Sequence, residues 1–359
     1  MSSPFVGKIR VWETLRDKPT TPKDGELLVR YDEQKLGYAC ESTEGNAFIS
    51  CEPQYDLDGD VFLLIPERKE AQRLIRRKSN HNTILFTEQC DQLCVMFSQP
   101  PRAINDKWLI PFFEKAISLA DQGATIGISG GEPTIYKVEL FSLLENMSIK
   151  RPDLSFHILT NAQHFNLEDR KRLQDIHKSL NVLWGIPLYS SSAKEHDEIV
   201  KKPGAYNLLN KNLFILASCG GAIELRTVLI KENVLELPHL AKFIAKNLTF
   251  IAFWAIMNLE QIGYAKLFKE ELFFDYSQCF VPVANAIEIA KSYNVPVSLY
   301  NFPLCTVPIE YRAYCTDSIS DWKKKFIAAC APCTKKHACS GFFEWYTPEW
   351  ELAGIHPLS

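Results

Sequence analysis

The sequence predicts an α/β fold, a partial (β/α)6-type barrel that follows a β-rich module and precedes a cysteine-rich extension. Three observations lead to this prediction. From about Asn82, apolar strand-length runs alternate with helix-length segments, which is typical of a parallel sheet with right-handed crossovers. Before that point, short apolar runs are separated by Gly, Asp and Pro, and after residue 300 several cysteines lie close together. We therefore divide the chain into residues 1–80, 81–300 and 301–359.

The first part has the composition of short strands joined by turns. The predicted strands are Phe5–Val11, Glu26–Tyr31, Ala47–Cys51 and Val61–Ile65. The charged stretch Glu67–Lys78 is predicted to be a linker or a surface helix. Two roles remain open for this part, namely recognition of a substrate peptide and a structural cap on the bottom of the barrel.

The barrel strands are predicted from seven apolar runs. They are Thr83–Thr87, Thr125–Ser129, Ser155–Thr160, Val182–Leu188, Ile223–Leu229, Thr249–Met257 and Val295–Tyr300. Between them, apolar residues recur with helical periodicity, as in the stripe from Trp108 to Ala120. A second helix is predicted to begin at Asn166, a suitable N-cap, and a third follows Gly204.

Composition excludes several classes of protein. A formal net charge of −3 argues against an electrostatic nucleic-acid binder. No apolar run approaches the roughly 18 residues of a membrane helix, and Met1–Lys8 lacks the features of a signal peptide. We therefore expect a cytoplasmic protein that is not bound to a membrane.

Three chemically suggestive positions follow predicted strand ends. Cys90, Gly130 and Asn161 each come just after a strand, and parallel strands place their active site at their carboxyl ends. The segment Ser129–Pro133 has two glycines that permit close backbone approach to a ligand. With Glu132 beside them, their backbone groups could hold the ammonium group of an amino acid. An ordinary turn between strand and helix is the alternative.

Cys90 and Cys94 are spaced as ligands of an iron–sulfur cluster, for which thiolates are the usual ligands. A loop with three cysteines would leave one iron of a four-iron cluster open to bind substrate. The Cys-x3-Cys spacing, the interval of about 35 residues and the sequence Gly130-Gly131-Glu132-Pro133 resemble the radical S-adenosylmethionine superfamily. In that family the loop is Cys-x3-Cys-x2-Cys, and the cluster cleaves the cofactor to a 5′-deoxyadenosyl radical.

The resemblance implies further cofactor contacts. The segment Leu159-Thr160-Asn161 is similar to the strand end that lines the cofactor pocket in that family. Arg226 and the pair Ser190–Ser191 lie where relatives contact the carboxylate or ribose of the cofactor. A surface ion pair is the alternative for Arg226. The implied cofactor-binding residues are Gly130, Gly131, Glu132, Pro133, Asn161, Ser190 and Arg226.

The C-terminal cysteines form a more complete motif. Cys330-x2-Cys333-x5-Cys339, with Cys305 upstream, supplies four thiolates, which suffice for a [4Fe–4S] cluster. This resembles the auxiliary-cluster extensions of peptide-modifying radical enzymes. A structural zinc site, with His337 replacing one cysteine if needed, and a site without metal are the alternatives. The remaining cysteines are predicted to be small buried apolar residues: Cys40, Cys51, Cys219, Cys279 and Cys315.

A narrower resemblance covers nearly the whole chain. The segments that carry it are Thr87–Cys90, Ser98–Pro101, Ile186–Tyr189, Gly263–Ala265, Leu299–Cys305, Ser318–Trp322 and Gly341–Phe343. In this order they resemble the C-type maturase of the His-Xaa-Ser peptide-modification system. The resemblance implies action on a small peptide together with a sister radical maturase.

Phe97 stands where that family has its third cluster cysteine, and a phenyl ring cannot ligate iron. Two thiolates could still hold a [2Fe–2S] fragment or a labile cluster with an outside ligand. Two hypotheses follow: a radical enzyme of peptide maturation with an impaired cluster, or an inactive relative that binds a peptide or the sister enzyme. A zinc-stabilised α/β binding protein without radical ancestry is a third.

Overall fold

The structure is a computed structural model that describes residues 3–11, 21–50, 56–350 and 352–358. The predicted buried position of Cys51, and with it the end of the run Ala47–Cys51, lies outside the described residues. No helix in these described ranges is long and apolar enough to cross a membrane.

The first part of the chain forms a six-stranded sheet. Its strands are β1 (Phe5–Val11), β2 (Glu26–Asp32), β3 (Gly37–Glu41), β4 (Asn46–Ser50), β5 (Val61–Ile65) and β6 (Glu70–Ile75), in the order β4-β3-β2-β1-β5-β6. Side chains of a strand alternate between the two faces of the sheet. Accordingly, Val61, Leu63 and Ile65 join the barrel core, whereas Phe62 and Leu64 belong to a second core inside the module.

The prediction of a linker or helix over Glu67–Lys78 is wrong. A tight turn at Pro66–Arg68 brings the chain back, and β6 pairs antiparallel with β5 in the register Ile65↔Glu70. Charged residues suit β6 because it is an edge strand with one face in solvent. The sequence also gave too weak an apolar signal for the short β3.

The main body is an eight-stranded parallel sheet in simple sequence order. Its strands are β7 (Asn82–Thr87), β8 (Thr125–Gly130), β9 (Ser155–Leu159), β10 (Asn181–Pro187), β11 (Ala222–Val228), β12 (Phe253–Met257), β13 (Val297–Tyr300) and the two-residue β14 (Cys315–Thr316). The crossover helices are α1 (Ile110–Ser118), α2 (Lys137–Lys150), α3 (Arg170–Ser179), α4 (Ala193–Val200), α5 (Ala205–Ser218), α6 (Leu237–Asn247), α7 (Tyr264–Leu267), α8 (Lys269–Leu272) and α9 (Val281–Ser292).

This arrangement confirms the predicted α/β class, a curved sheet that forms part of a barrel. All seven predicted barrel strands are present, with ends shifted by up to four residues. The predicted N-cap at Asn166 is confirmed, since its side chain accepts from the Glu168 N–H at 2.9 Å and Asp169 completes a capping box. The third predicted helix begins directly after Gly204, as α5.

The C-terminal extension packs against the barrel through large apolar side chains, including Phe302, Phe342 and Trp350. Its regular structure is sparse, with short 3₁₀ turns and the antiparallel pair β15 (Lys324–Lys325) and β16 (Phe342–Phe343).

Candidate functional site

The carboxyl ends of the barrel strands surround a cavity of about 260 Å³. Six of the residues that the sequence predicts to bind a metal or cofactor line this cavity, so the fold brings them together. They are Cys90, Cys94, Gly130, Gly131, Asn161 and Arg226. The cavity also contacts Phe97 and Tyr189.

The two thiols lie on a loop between β7 and α1. The loop is held to the end of α4, because Leu93 N donates to Val200 O at 3.1 Å and Val95 N donates to Ile199 O at 3.0 Å. Burial raises the pKa of Cys90 and of Cys94 to about 12. Both side chains are therefore neutral thiols in the protein without metal, and a metal would have to displace their protons.

Phe97 faces the same cavity as the two thiols, and its position is fixed by its backbone. Its N–H donates to Cys94 O at 3.1 Å, and its carbonyl accepts from Tyr264 N at 2.8 Å. A Cβ on Gly263 would lie 2.3 Å from the Phe97 carbonyl oxygen, so this contact requires glycine. This loop thus brings two thiols and a phenyl ring to the cavity, which does not fit a cluster held by three cysteines on this loop.

The Gly130–Gly131 turn packs against the cysteine loop. Gly131 N donates to Thr87 O at 2.8 Å, and a Cβ at Gly131 would lie 2.1 Å from Gln89 O. Gly130 has φ +140°, which favours glycine. The two glycines approach the protein backbone next to Cys90 and also line the cavity, and their predicted approach to a ligand stays a prediction.

Glu132 lies beneath the cavity and is not one of its lining residues. Its carboxylate is fully buried and accepts from Thr134 N at 2.8 Å, from Thr160 Oγ1 at 2.7 Å and from Asn161 N at 2.6 Å. The Thr134 hydroxyl is a fourth donor. Burial raises the pKa of Glu132, which these donors oppose. In this arrangement Glu132 pairs with the neighbouring strand ends, and its carboxylate is buried outside the cavity lining.

Asn161 connects two elements of the cavity wall. Its side chain donates from Nδ2 to Asp91 Oδ1 at 2.8 Å. The other Asp91 oxygen pairs with Lys202 and with His164, whose Nε2 is 3.2 Å away. These donors outweigh burial and hold the pKa of Asp91 well below its usual range. Nothing in the sequence pattern points to this network, which fixes the residue next to Cys90.

Arg226 lies inside the barrel as part of a charged cluster. Its Nη1 donates to Glu224 Oε1 at 3.0 Å, and Glu224 Oε2 lies 2.5 Å from His157 Nε2. Although burial opposes ionisation, Arg226 and His157 lower the pKa of Glu224. Burial and the nearby Glu224 raise the pKa of Tyr300, whose ring lies 5.8 Å from the guanidinium, to about 12. The surface ion pair considered for Arg226 is therefore wrong, because its carboxylate partner is fully buried.

Two predicted contacts lie away from the cavity. Ser190 is buried, where its hydroxyl donates to Glu195 Oε2 at 2.6 Å and accepts from Ser192 N at 2.9 Å. Pro133 is buried at the start of a 3₁₀ turn. Neither residue lines the cavity.

The four C-terminal cysteines Cys305, Cys330, Cys333 and Cys339 line one small cavity in the extension. Backbone N–H groups point at their sulfur atoms. Leu304 N and Gly341 N each donate to Cys339 Sγ at 3.4 Å, and Leu358 N donates to Cys333 Sγ at 3.4 Å. Hydrogen bonds of this kind stabilise thiolate over thiol, and they tune clusters bound by cysteine. By the type of its donors, this group of four thiols suits a metal centre ligated by cysteine.

Among the described residues, no group of three or more His, Cys, Asp or Glu side chains converges closely enough to hold one metal ion. His337 is exposed and absent from the lining of the cavity, whereas His356 is present there.

Of the scattered cysteines, Cys40 and Cys219 are buried as predicted, and Cys315 is half-buried. The prediction is wrong for Cys279, which is exposed. Its position before α9 faces solvent because the apolar face of this helix begins only with Pro282 and Val283.

Comparisons with known proteins gave matches only among solved structures. No protein-family model matches the chain. No curated protein matches it either. SuiB of Streptococcus suis bound to S-adenosylmethionine matches with a TM-score of 0.49 and 18% identity, over 60% of this chain and 49% of that chain. The chain thus spans about half the length of SuiB.

Two further structures show a weaker likeness. The anSMEcpe protein with bound AdoMet and Cp18Cys peptide matches with a TM-score of 0.43 and 14% identity, over 60% of this chain and 62% of that chain. A domain of pyruvate-formate lyase-activating enzyme from Bacteroides vulgatus matches with a TM-score of 0.38 and 15% identity, over 48% of this chain and 96% of that chain.

Proposed function

We propose that this chain is a peptide-modifying protein of the radical S-adenosylmethionine type with an impaired primary cluster loop. One observation carries the proposal. A single cavity at the carboxyl ends of parallel strands brings together Cys90, Cys94, the Gly130–Gly131 turn, Asn161 and Arg226. These positions are far apart in sequence, and the motifs and predicted strand ends selected them before the cavity was known.

The cofactor would occupy this cavity. The Arg226 guanidinium has donors beyond the one used by Glu224, and a carboxylate is their natural partner. The backbone of Gly130 and Gly131 and the amide of Asn161 lie on the same cavity wall as further polar contacts. When bound, S-adenosylmethionine with a reduced cluster supplies a 5′-deoxyadenosyl radical. We derive no step through the primary cluster, because the loop provides only two thiolates.

The narrower assignment follows the sequence resemblance to the C-type maturase of the His-Xaa-Ser system. In this proposal the substrate is a small peptide, and a sister radical maturase is a partner. The cysteines Cys305, Cys330, Cys333 and Cys339 hold an auxiliary [4Fe–4S] cluster, which the N–H donors to sulfur support. Zinc in place of iron after anaerobic purification would contradict this cluster.

The test is formation of 5′-deoxyadenosine by anaerobically reconstituted, reduced protein. We expect the wild-type protein to form it slowly but above the level of a Cys90→Ala/Cys94→Ala variant. Phe97→Cys is expected to raise the rate by at least about tenfold, a change of about 1.4 kcal/mol in the barrier. Equal rates in the wild-type protein and the double variant would reject catalysis by this sequence.

A second function is favoured by Phe97 itself, which occupies the third ligand position. In this alternative the chain is an inactive relative that binds a peptide or the sister enzyme through an iron–sulfur scaffold. It predicts no deoxyadenosine above background, together with stable co-purification of the chain and a co-expressed sister maturase. If the chain neither forms deoxyadenosine nor co-purifies with the sister maturase, the alternative is rejected as well.

A further inference from the structure

A second cavity of about 560 Å³ adjoins the cysteine cavity. The two share part of their walls, including Phe97, Arg226 and Glu260. The second cavity extends from this shared wall to the C-terminal extension, where Trp322 and Trp345 line it. Its volume lies in the range of ordinary ligand pockets.

Aromatic side chains form much of the outer wall. Phe343 and Trp345 stack with ring centroids 5.4 Å apart, and the Trp322 side chain is 48% exposed. Lys323 lies over both indole rings, 4.9 Å from the centroid of Trp322 and 5.6 Å from that of Trp345. Flat, rigid side chains in this setting offer a large contact area at a small cost in conformational entropy.

Two polar groups in this wall have no hydrogen-bond partner among the described residues. The Trp345 indole Nε1 is buried and unpaired. No hydrogen bond reaches the Glu260 carboxylate, and Lys323 is the charged group that acts on it. Burial raises the pKa of Glu260, which Lys323 opposes. An unpaired buried donor such as the Trp345 N–H is costly unless a ligand pairs with it, and the half-buried Glu260 carboxylate on the same wall is an acceptor that a ligand can reach.

A peptide main chain has the complementary groups. Each residue other than proline carries one N–H donor and one carbonyl acceptor, and both need partners when they leave water. Its side chains would cover the aromatic wall. A free aromatic molecule would satisfy the rings but leave the donor and the acceptor to be paired separately.

We infer that this second cavity binds an extended segment of the substrate peptide. In it, the Trp345 indole N–H donates to a main-chain carbonyl and the Glu260 carboxylate accepts from a main-chain N–H. The inference rests on the proposed function in one respect, namely that the bound peptide is the substrate. It also assigns a role to Phe97, whose ring belongs to both cavities and lies where the peptide would approach the cofactor site.

The experiment uses a phage-displayed library of random dodecapeptides, selected on the full, reconstituted protein without cofactor or reductant. The affinity of the selected peptides is then measured by calorimetry. Trp345→Phe keeps the ring but removes the donor, and Glu260→Leu removes the acceptor. We expect each to raise the peptide Kd about tenfold, with a smaller loss for Glu260→Gln, which retains an acceptor oxygen. Trp108→Phe on the outer surface is the matched control and is expected to leave Kd unchanged.

Failure has distinct forms. No enrichment over the bare support, or equal Kd values for wild type, Trp345→Phe and Glu260→Leu, would overturn the inference. So would binding of N-acetyltryptophanamide as tight as that of the selected peptides, because the cavity would then bind an isolated ring. Peptide binding is measured without radical chemistry. If no deoxyadenosine forms but peptides still bind, and if Trp345→Phe and Glu260→Leu weaken that binding, then catalysis is rejected and this inference is supported.

Discussion

The Cys90–Cys94 loop and the group of four cysteines in the C-terminal extension differ in how many thiols they bring to one cavity. The C-terminal site has four cysteines around one small cavity, and backbone N–H groups point at the sulfur atoms of Cys339 and Cys333. The barrel loop has two thiols with a pKa raised to about 12 by burial, and Phe97 lines the same cavity.

The structure that surrounds each group of cysteines differs in the opposite direction. The barrel loop is braced by Asp91, by the glycine turn and by the fully buried Glu132, although its ligand set is incomplete. The extension has little regular structure around a complete ligand set. In our proposal the barrel site therefore has a well-braced loop but too few thiols for a cluster, whereas the extension has four thiols and would gain rigidity on binding its cluster.

The largest effect is expected when the complete site is broken. Cys330→Ser removes one of four thiolates from the extension, so we expect loss of most of the bound iron and earlier unfolding of the extension on heating. Iron analysis and limited proteolysis measure both. Cys279→Ser changes an exposed cysteine outside the site and is the control. Equal iron content in the two variants would show that iron is bound elsewhere.

Completing the barrel loop should remove the contrast between the two sites. Phe97→Cys supplies the third thiolate, so we expect the reconstituted protein to rise from about four to about eight iron atoms per chain. Ser98→Cys places a thiol one residue further along the same loop and serves as the matched control. If Phe97→Cys binds no more iron than wild type, then some feature other than the missing thiolate prevents assembly.

The frame of the barrel site can be tested without metal. Glu132→Ala leaves buried N–H and O–H donors unpaired, so we expect the free energy of unfolding to fall by about 4 kcal/mol. Urea unfolding measures the loss. Glu139→Ala, in a solvent-accessible pair with Lys107, should change it by less than about 1 kcal/mol. Similar losses for both variants would contradict the bracing role of Glu132.

Acid should weaken the barrel frame through His196. This buried side chain stacks on Tyr189 in the cavity wall, and burial lowers the pKa of His196 from 6.5 to about 4. The unfolded chain therefore binds a proton more readily, and this contribution to stability is complete above pH 6.5 and lost as the pH falls towards 4. Between pH 7 and pH 5 we expect a loss of about 2 kcal/mol.

The control is the same measurement on His196→Gln, which removes the titrating group but can still accept the Tyr189 N–H. We expect its free energy of unfolding to fall by about 2 kcal/mol less than that of the wild type over this pH range. His239→Gln, an exposed site, should leave the wild-type dependence unchanged. If the free energy of unfolding of His196→Gln depends on pH as strongly as that of the wild type, the acid sensitivity belongs to another group.

Much of the fold and part of the site could be predicted from the sequence. The barrel strands were found because buried parallel strands are continuous apolar runs, and the capping box at Asn166 because N-caps are local. The strand β6 was missed because an edge strand with charged residues lacks that apolar signal. Asp91, Glu224 and the unpaired Trp345 could not be found, because their partners come from distant segments that only the fold brings together.

The most direct test is electron paramagnetic resonance of anaerobically reconstituted, dithionite-reduced protein, with and without S-adenosylmethionine, for wild type and Phe97→Cys. Our account predicts that most of the wild-type signal comes from the C-terminal cluster and is unchanged by the cofactor. Phe97→Cys should add a second [4Fe–4S]⁺ signal that the cofactor shifts. A wild-type spectrum with two clusters per chain, one of them fully responsive to the cofactor, would contradict the account.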